Sequence, residues 1–433
     1  MEKKLKVVWI CHFSDAKTRS HIAFSRFYYL NLIRFVKRKP FIIWNDTAVW
    51  VTNAIREFEK FDDIELTVIF PHQGIKGHLQ TFFINGVNYK CFRSEDDNWI
   101  AYLLNRFLKR EKCFYYKNRD IIRKQLSYIN PDIVHIIGAE NPYYSISALD
   151  IPSNKPSVVS LQTLMSAPDF LANYPISKVN YEYRAKIERE VIKKCNYIAS
   201  PICHFKEFVI KDICPHAIFL KMTLAVGQDI DTAQTEKEYD FVYFAADISK
   251  AADDAIEAFA LASARKPGIT LNISGNYSPR DKMTLDKRIE ELRITKQVFF
   301  TGGQSTHNDV LCQIKKSRVA LLPLKVDMIS GTIREAMACG LPVVTTITPS
   351  TPELNAKRTS VLLSEKGDYA VMADNMIKVL ENNDLWNLLR RNGMETIQEK
   401  YSNKVFMNNW RRAYYEIVDN FINGVPFSKD LIL

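Results

Sequence analysis

Ser330, Gly331 and Thr332 stand where a buried apolar run, Arg318–Pro323, passes through a loop into a helical segment, Ile333–Ala338. The first N–H groups of a helix lack intrahelical partners, and the helix dipole is positive there. A diphosphate suits that position. Glycine at 331 lets a phosphate approach the backbone closely. Glu335, one turn on, is placed to accept hydrogen bonds from two adjacent ribose hydroxyls, as acidic residues do in nucleotide sites. Gly340-Leu-Pro342 ends the helix and Val343-Val344 starts the next strand. Taken without its neighbours, the stretch has a second reading, a plain strand–helix–strand unit with a Ser-Gly-Thr cap.

The elements that must position these residues alternate along the whole chain. In the first half, β-rich runs fall at Lys6–Cys11, Ile64–Phe70, Ile133–Ile137, Ser157–Leu161 and Tyr197–Ser200; in the second, at Asp240–Ala245, Ile269–Ser274, Gln297–Thr301, Arg318–Pro323, Pro342–Thr346 and Ser360–Leu363. Helical periodicity fills the gaps, at Tyr183–Cys195, Ala252–Ala264, Leu285–Ile294, His307–Lys316, Tyr369–Glu381 and Leu385–Lys400. Alternation of this kind makes parallel sheets covered by helices on both faces. With 433 residues, two domains of roughly 200 residues each are expected. We place a first domain at 1–220 with an insertion near 11–45, a polar linker at 221–238, a second domain at 239–404, and a helical tail at 405–433 that packs back on the first domain.

The composition, 47% hydrophobic and 25% charged, is that of a soluble globular protein. No apolar run reaches the ~18 residues of a membrane span. The apolar run at the start is broken at His12 and lacks a cleavage site, so it reads as a strand and not a signal peptide. Eight cysteines without a CxxC pair read as reduced core thiols of a cytoplasmic protein, with no zinc site or disulfide framework. The net charge of +10 lies entirely in residues 1–220, which hold 32 Lys+Arg against 22 Asp+Glu. A basic half faces something acidic: anionic membrane lipid, a phosphate-linked acceptor or nucleic acid. Between Lys17 and Lys39 there are seven basic residues and no acid, interleaved with Phe24, Phe27, Tyr28, Tyr29 and Phe35. Two readings stand: an interfacial membrane helix, or an insertion packed on the domain with a solvated basic face. No nucleic-acid module is recognised, and nucleic acid is not an expected partner.

The run Asp327-Met-Ile-Ser-Gly-Thr-Ile-Arg-Glu335 resembles the nucleotide-sugar signature of family 4 glycosyltransferases, and the chain looks similar to bacterial capsular and exopolysaccharide-building members. Phe241–Phe259 resembles that family's opening strand, phosphate loop and helix, and Phe299-Phe-Thr-Gly-Gly303 its strand beside the base. The resemblance implies an α/β GT-B fold, two doubly wound Rossmann-like domains facing across a cleft. It implies that Asp327 meets the donor sugar, Glu335 the ribose and Lys250 the diphosphate, with Ser330, Gly331, Thr332 and Gly302 completing the donor site. The activity implied is retaining transfer of a hexose-type sugar, with a UDP- or GDP-sugar as co-substrate and no bound cofactor or metal. The family often has arginine where Ala245 stands; Arg334, Lys325 and Arg280 are the bases available to supply that charge.

In the first half, Pro131–Tyr144, Lys155–Ser166 and Trp44–Asn53 resemble further family loops. They make Glu140, Asn45 and Asp46 candidates for sugar or acceptor contacts, and Gln162 a candidate in the reaction itself. Asn45 and Asp46 are also good helix N-caps. His135 reads as a core histidine, and Tyr183–Cys195 as a charged helix without a special role. The expected partners are the nucleotide sugar, a glycan or lipid-linked acceptor, and an anionic membrane surface, placing the protein in the cytoplasm and peripherally at the inner membrane face. Two alternatives stand beside transfer: a GT-B subunit without turnover that serves as a scaffold, which Ala245 and Asn45-Asp46 favour, and a nucleotide-sugar epimerase.

Overall fold

The computed structural model describes residues 4–26, 28–42, 44–95, 97, 100, 115–167, 178–222, 225, 235–247, 251–325, 330–348 and 350–433. The chain forms two compact units, residues 1–225 with 406–433, and residues 226–405.

The first unit is built on an eight-stranded sheet. Its strands are β1 (Leu5–Ile10), β2 (Ile64–Pro71), β3 (Leu79–Ile84), β4 (Val87–Phe92), β5 (Ile133–Ile137), β6 (Ser157–Ser160), β7 (Tyr197–Ala199) and β8 (Ile218–Leu220). Their order is β3-β4-β2-β1-β5-β6-β7-β8. All neighbours pair in parallel except the β3–β4 hairpin. Parallel strands are buried on both faces, so they read as continuous apolar runs; in β5, Ile-Val-His-Ile-Ile, every residue is buried. The hairpin was not among the expected strands. Its turn is Asn85-Gly86, both at positive φ (49° and 85°), the strongest short hairpin signal a sequence carries.

Among the described residues the second unit has six strands, all parallel: β9 (Tyr239–Asp247), β10 (Leu271–Asn276), β11 (Val298–Gly302), β12 (Ser317–Leu321), β13 (Val343–Thr346) and β14 (Val361–Ser364). They lie in the order β11-β10-β9-β12-β13-β14. Each of the six runs expected here is a strand.

The helix Asn403–Asn423 lays Met407, Trp410, Ala413, Tyr414 and Ile417 into the core of the first unit. One polar chain crosses that core. Indole nitrogen only donates, so Trp9 Nε1–H donates to Tyr414 Oη at 2.8 Å. Tyr414 Oη in turn is hydrogen-bonded to His135 Nδ1 at 2.7 Å, and His135 Nε2 is hydrogen-bonded to Ser160 Oγ at 2.7 Å. Every polar atom of the imidazole is used, and burial holds its pKa down to about 3. His135 is therefore a neutral core histidine. Arg411 and Tyr415 of the same helix hydrogen-bond the carboxylate of Asp63 from outside, at 2.8 and 2.9 Å.

The insertion is not one helix. It holds a single turn, Ala16–Arg19, and a two-turn helix, Tyr29–Val36. No helix among the described residues is long and apolar enough to cross a membrane. Cys11, Cys91 and Cys195 are buried, whereas Cys203 and Cys312 are exposed.

Candidate functional site

In an open parallel sheet, ligands collect beyond the carboxyl ends of the strands where the strand order reverses. In the second unit that place lies between β9 and β12. After β12 in the chain, Ser330 caps the helix Gly331–Ala338. Ser330 Oγ accepts from Ile333 N at 3.2 Å and lies 2.8 Å from Thr332 Oγ1. The N–H groups of Gly331 and Thr332 have no acceptor within the helix. A Cβ placed on Gly331 would meet nothing within 4 Å, so the backbone is open to a close ligand.

Glu335 lies one turn further on, mostly buried, with Oε1 3.1 Å from Nε2 of His307. His307 opens the helix His307–Lys315, whose Thr306–Asp309 capping box follows β11. The His307–Glu335 pair thus joins the β11 loop to the helix after β12. Sequence reasoning placed a helix at His307–Lys316 but assigned His307 nothing, because one histidine at a helix start carries no spacing signal. Gly302 ends β11 at φ +71°. The tighter position is its neighbour: a Cβ on Gly303 would stand 1.9 Å from Asn276 Oδ1, the last residue of β10.

The bases named as substitutes for an arginine at 245 divide three ways. Arg334 is buried, and burial lowers its pKa to about 10 despite Glu335 and Tyr401 nearby. Lys325 is held by Asp253 at 2.6 Å and by Asp254 at 3.9 Å. The Tyr369 hydroxyl donates to Asp254 at 2.6 Å, completing an acidic clamp at the start of the helix Ala252–Arg265. Arg280 is exposed in the first turn of the helix Pro279–Glu291. Lys250 and Asp327 lie outside the described residues.

In the first unit the order reverses between β1 and β5. The loops beyond these strands carry His12 to Ser14 and Gly138 to Tyr144. They meet where the His12 ring stands edge-on to Tyr143, centroids 5.8 Å apart. Asn45 and Asp46 do not cap a helix. Ala48, at φ +50° and without a side-chain bond, occupies the cap of Val49–Phe58. Asp46 instead pairs with Arg19 at 2.8 Å, and Arg19 also donates to the Asn45 carbonyl and to Ser14 Oγ. Ser14 Oγ lies 3.1 Å from His72 Nε2, and the other ring nitrogen of His72 is 2.9 Å from the Gln73 carbonyl. Burial, the largest influence, keeps His72 below its usual pKa.

Glu140 folds back over Gly138, whose φ is +91°; a Cβ there would come within 2.9 Å of both carboxylate oxygens and 2.6 Å of the Tyr144 hydroxyl. One oxygen accepts from Asn141 Nδ2 at 3.0 Å, while the other is shielded from solvent with no hydrogen-bond partner among the described residues. Desolvation raises the Glu140 pKa. Gln162 follows β6, on a loop anchored by Glu188, whose carboxylate accepts from the backbone N–H groups of Met165 and Ser166 at 3.0 and 2.7 Å. Glu188 is fully buried on the helix Lys178–Lys194, and burial raises its pKa to about 7. That helix therefore has a specific task, contrary to its reading as a charged helix without one. Among the described residues, no cluster of His, Cys, Asp and Glu has the geometry to hold a metal.

Residues 229–396 match the family described as glycosyl transferases group 1. The matched segment contains the Ser330–Glu335 helix start, Gly302 and His307. An N-acetyl-alpha-D-glucosaminyl L-malate synthase of Bacillus anthracis is 26% identical over 141 residues, 33% of this chain and 36% of that protein. The chain thus spans only about a third of that relative's length in the match. Sucrose-phosphate synthase from Thermosynechococcus elongatus has the same fold at a TM-score of 0.64 and 12% identity, with 96% of this chain and 99% of that chain covered. Trehalose-6-phosphate from E. coli, bound with UDP-2-fluoro glucose, superposes at a TM-score of 0.64 and 11% identity over 95% and 99% of the two chains. The fold is GT-B, with two doubly wound Rossmann-like domains.

Proposed function

We propose that this chain is a glycosyltransferase that moves a hexose-type sugar from a UDP- or GDP-sugar to a lipid-linked or growing polysaccharide acceptor. In this reading the configuration at the anomeric carbon is retained and no metal is bound. The observation that carries it is the open helix start at Ser330–Thr332 with Glu335 one turn on, at the strand-order reversal of a segment matching the glycosyl transferases group 1 family. The name of the Bacillus anthracis relative supports a hexose-type donor, and the UDP-2-fluoro glucose bound to the Escherichia coli protein supports a uridine one.

The helix start and Lys250 would offset charge on the leaving diphosphate as its bond to the anomeric carbon breaks, the acceptor oxygen bonds to that carbon, and the acceptor's proton passes to the departing diphosphate. Glu335 would accept from the ribose hydroxyls and Asp327 would meet the donor sugar. Gly302 would flank the base. In the first unit, the buried Glu140 carboxylate, with one oxygen lacking a hydrogen-bond partner among the described residues, is a candidate for a sugar contact, with Asn45, Asp46 and Gln162 as the other candidates. The positive excess of the first 220 residues supports work in the cytoplasm at the inner membrane face, beside an anionic surface.

A thermal-shift panel of UDP-, GDP-, ADP- and TDP-sugars tests the donor site, since a ligand of the native state raises the melting temperature. One base is expected to stabilise the protein. No shift with any donor overturns the reading. Donor binding without transfer to any glycan or lipid acceptor moves it to the scaffold, and donor conversion without acceptor to the epimerase.

A further inference from the structure

The helix Tyr29–Val36 is amphipathic the wrong way round for a helix packed on its own protein. Its outward arc is Leu32, Ile33, Phe35 and Val36, with Leu32, Phe35 and Val36 exposed by 62%, 69% and 76%. Its half-buried side carries Tyr29, Leu30, Asn31 and Arg34. A surface helix ordinarily turns its apolar stripe to the core and its polar residues to water.

The outward face is held in place from beneath. Asn31 Oδ1 accepts from Ile42 N at 2.8 Å, and Arg34 Nε donates to the Pro40 carbonyl at 2.5 Å. These bonds fold residues 37–42 back against the helix and leave Phe41 58% exposed beside it. Beneath the segment, Tyr28 and Trp44 pack on each other and on Gly74, so it stands on a fixed aromatic base. Lys37, Arg38 and Lys39 are all exposed at the end of the apolar face, and no acid occurs anywhere from Ala16 to Asn45.

An apolar face with a cationic edge fits an anionic lipid surface: the side chains enter the acyl boundary and the bases meet the headgroups. A protein partner would meet the same apolar face, but nothing in an apolar interface asks for three adjacent exposed bases in a stretch without an acid. We propose that Leu32, Phe35, Val36 and Phe41 insert into an anionic bilayer, with Lys37, Arg38 and Lys39 as the cationic rim, so that this helix docks the first unit on a membrane. The proposal deepens the reading of a lipid-linked acceptor by naming the surface that meets the lipid. It is separable from that reading: a chain that binds vesicles yet glycosylates only a soluble acceptor keeps the docking surface and loses the lipid-linked acceptor.

The test is flotation of the full chain with phosphatidylcholine vesicles, with and without phosphatidylglycerol, at low and high salt. Wild type is expected to float with the anionic vesicles and to retain part of that binding at high salt, because insertion is not screened. Each base near the surface contributes about fivefold, so K37Q/R38Q/K39Q is expected to bind roughly a hundredfold more weakly. F35S/V36S is expected to lose at least about tenfold and its salt-resistant fraction, with an unchanged melting temperature because both side chains are exposed. Wild type that ignores anionic vesicles, or F35S/V36S that binds them as well as wild type does, overturns the proposal. So does a wild type that is dimeric in solution and becomes monomeric in F35S/V36S with no difference in vesicle binding.

Discussion

Glu335 shows how one side chain can be identified from spacing while its surroundings stay hidden. Its place one turn after Ser-Gly-Thr follows from helix geometry, whereas its contact with His307 joins two loops 28 positions apart. A hydrogen bond from a ribose hydroxyl to a charged carboxylate contributes about 1.5–3 kcal/mol. Glu335→Gln is therefore expected to weaken donor binding by roughly 10- to 150-fold and to abolish the thermal shift at donor concentrations that stabilise wild type. Equal titration curves for the two proteins would remove Glu335 from the site. His135 gives a pH prediction. Its pKa is about 3 in the folded state against 6.5 for the free side chain. The unfolded chain therefore takes up a proton below about pH 6.5 that the folded chain refuses, and stability falls as pH drops from there towards 3. The slope from this one group approaches about 1.4 kcal/mol per pH unit. His135→Gln keeps an acceptor for Tyr414 and a donor for Ser160. Urea unfolding of the variant between pH 7 and 5 is expected to show a shallower loss than wild type; parallel curves would count against the assignment.

At the scale of elements, the second sheet was readable throughout, because buried parallel strands are continuous apolar runs between amphipathic helices. The β3–β4 hairpin was missed although Asn85-Gly86 announced it. Its strands, Leu-Gln-Thr-Phe-Phe-Ile and Val-Asn-Tyr-Lys-Cys-Phe, mix polar with apolar residues and are the outer two on one side of the sheet, so they lack the long apolar run of strands such as β2 and β5. The tail helix is a core element of the first unit, with Trp410 and Tyr414 both fully buried. Trp410→Ala is expected to destabilise that unit by about 3–5 kcal/mol, the range for removing a buried large aromatic, measured by urea unfolding. Gly138→Ala places a methyl group against the Tyr144 hydroxyl and the Glu140 carboxylate at positive φ. We expect it to lower both the melting temperature and acceptor turnover, while donor-induced stabilisation persists because the donor helix lies in the other unit.

For the whole molecule, two separate cores mean two cooperative units. Calorimetry is expected to resolve two transitions, and a nucleoside-diphosphate sugar is expected to raise the one belonging to residues 226–405. A single transition, or a rise confined to the other unit, would contradict that division. The charge asymmetry belongs to this scale as well. Residues 221–433 are balanced, so the long-range field that attracts acidic partners arises from the first half.

The sequence alone determined what depends on local order: the alternation of strand and helix, the doubly wound class, the Ser-Gly-Thr helix start, and the concentration of positive charge in one half. These follow from periodicity, capping and composition, which act over a few residues or over none in particular. Only the tertiary structure decided which distant groups meet. Arg19 took Asp46 from its expected capping role, Asp253 and Asp254 clamped Lys325, Glu188 anchored the loop of Gln162, and Tyr414 completed the bonds of His135. It also decided that the apolar side of the helix Tyr29–Val36 faces outward. Hydrophobic periodicity reveals that a helix has two faces; only the packing around it fixes which one meets the solvent.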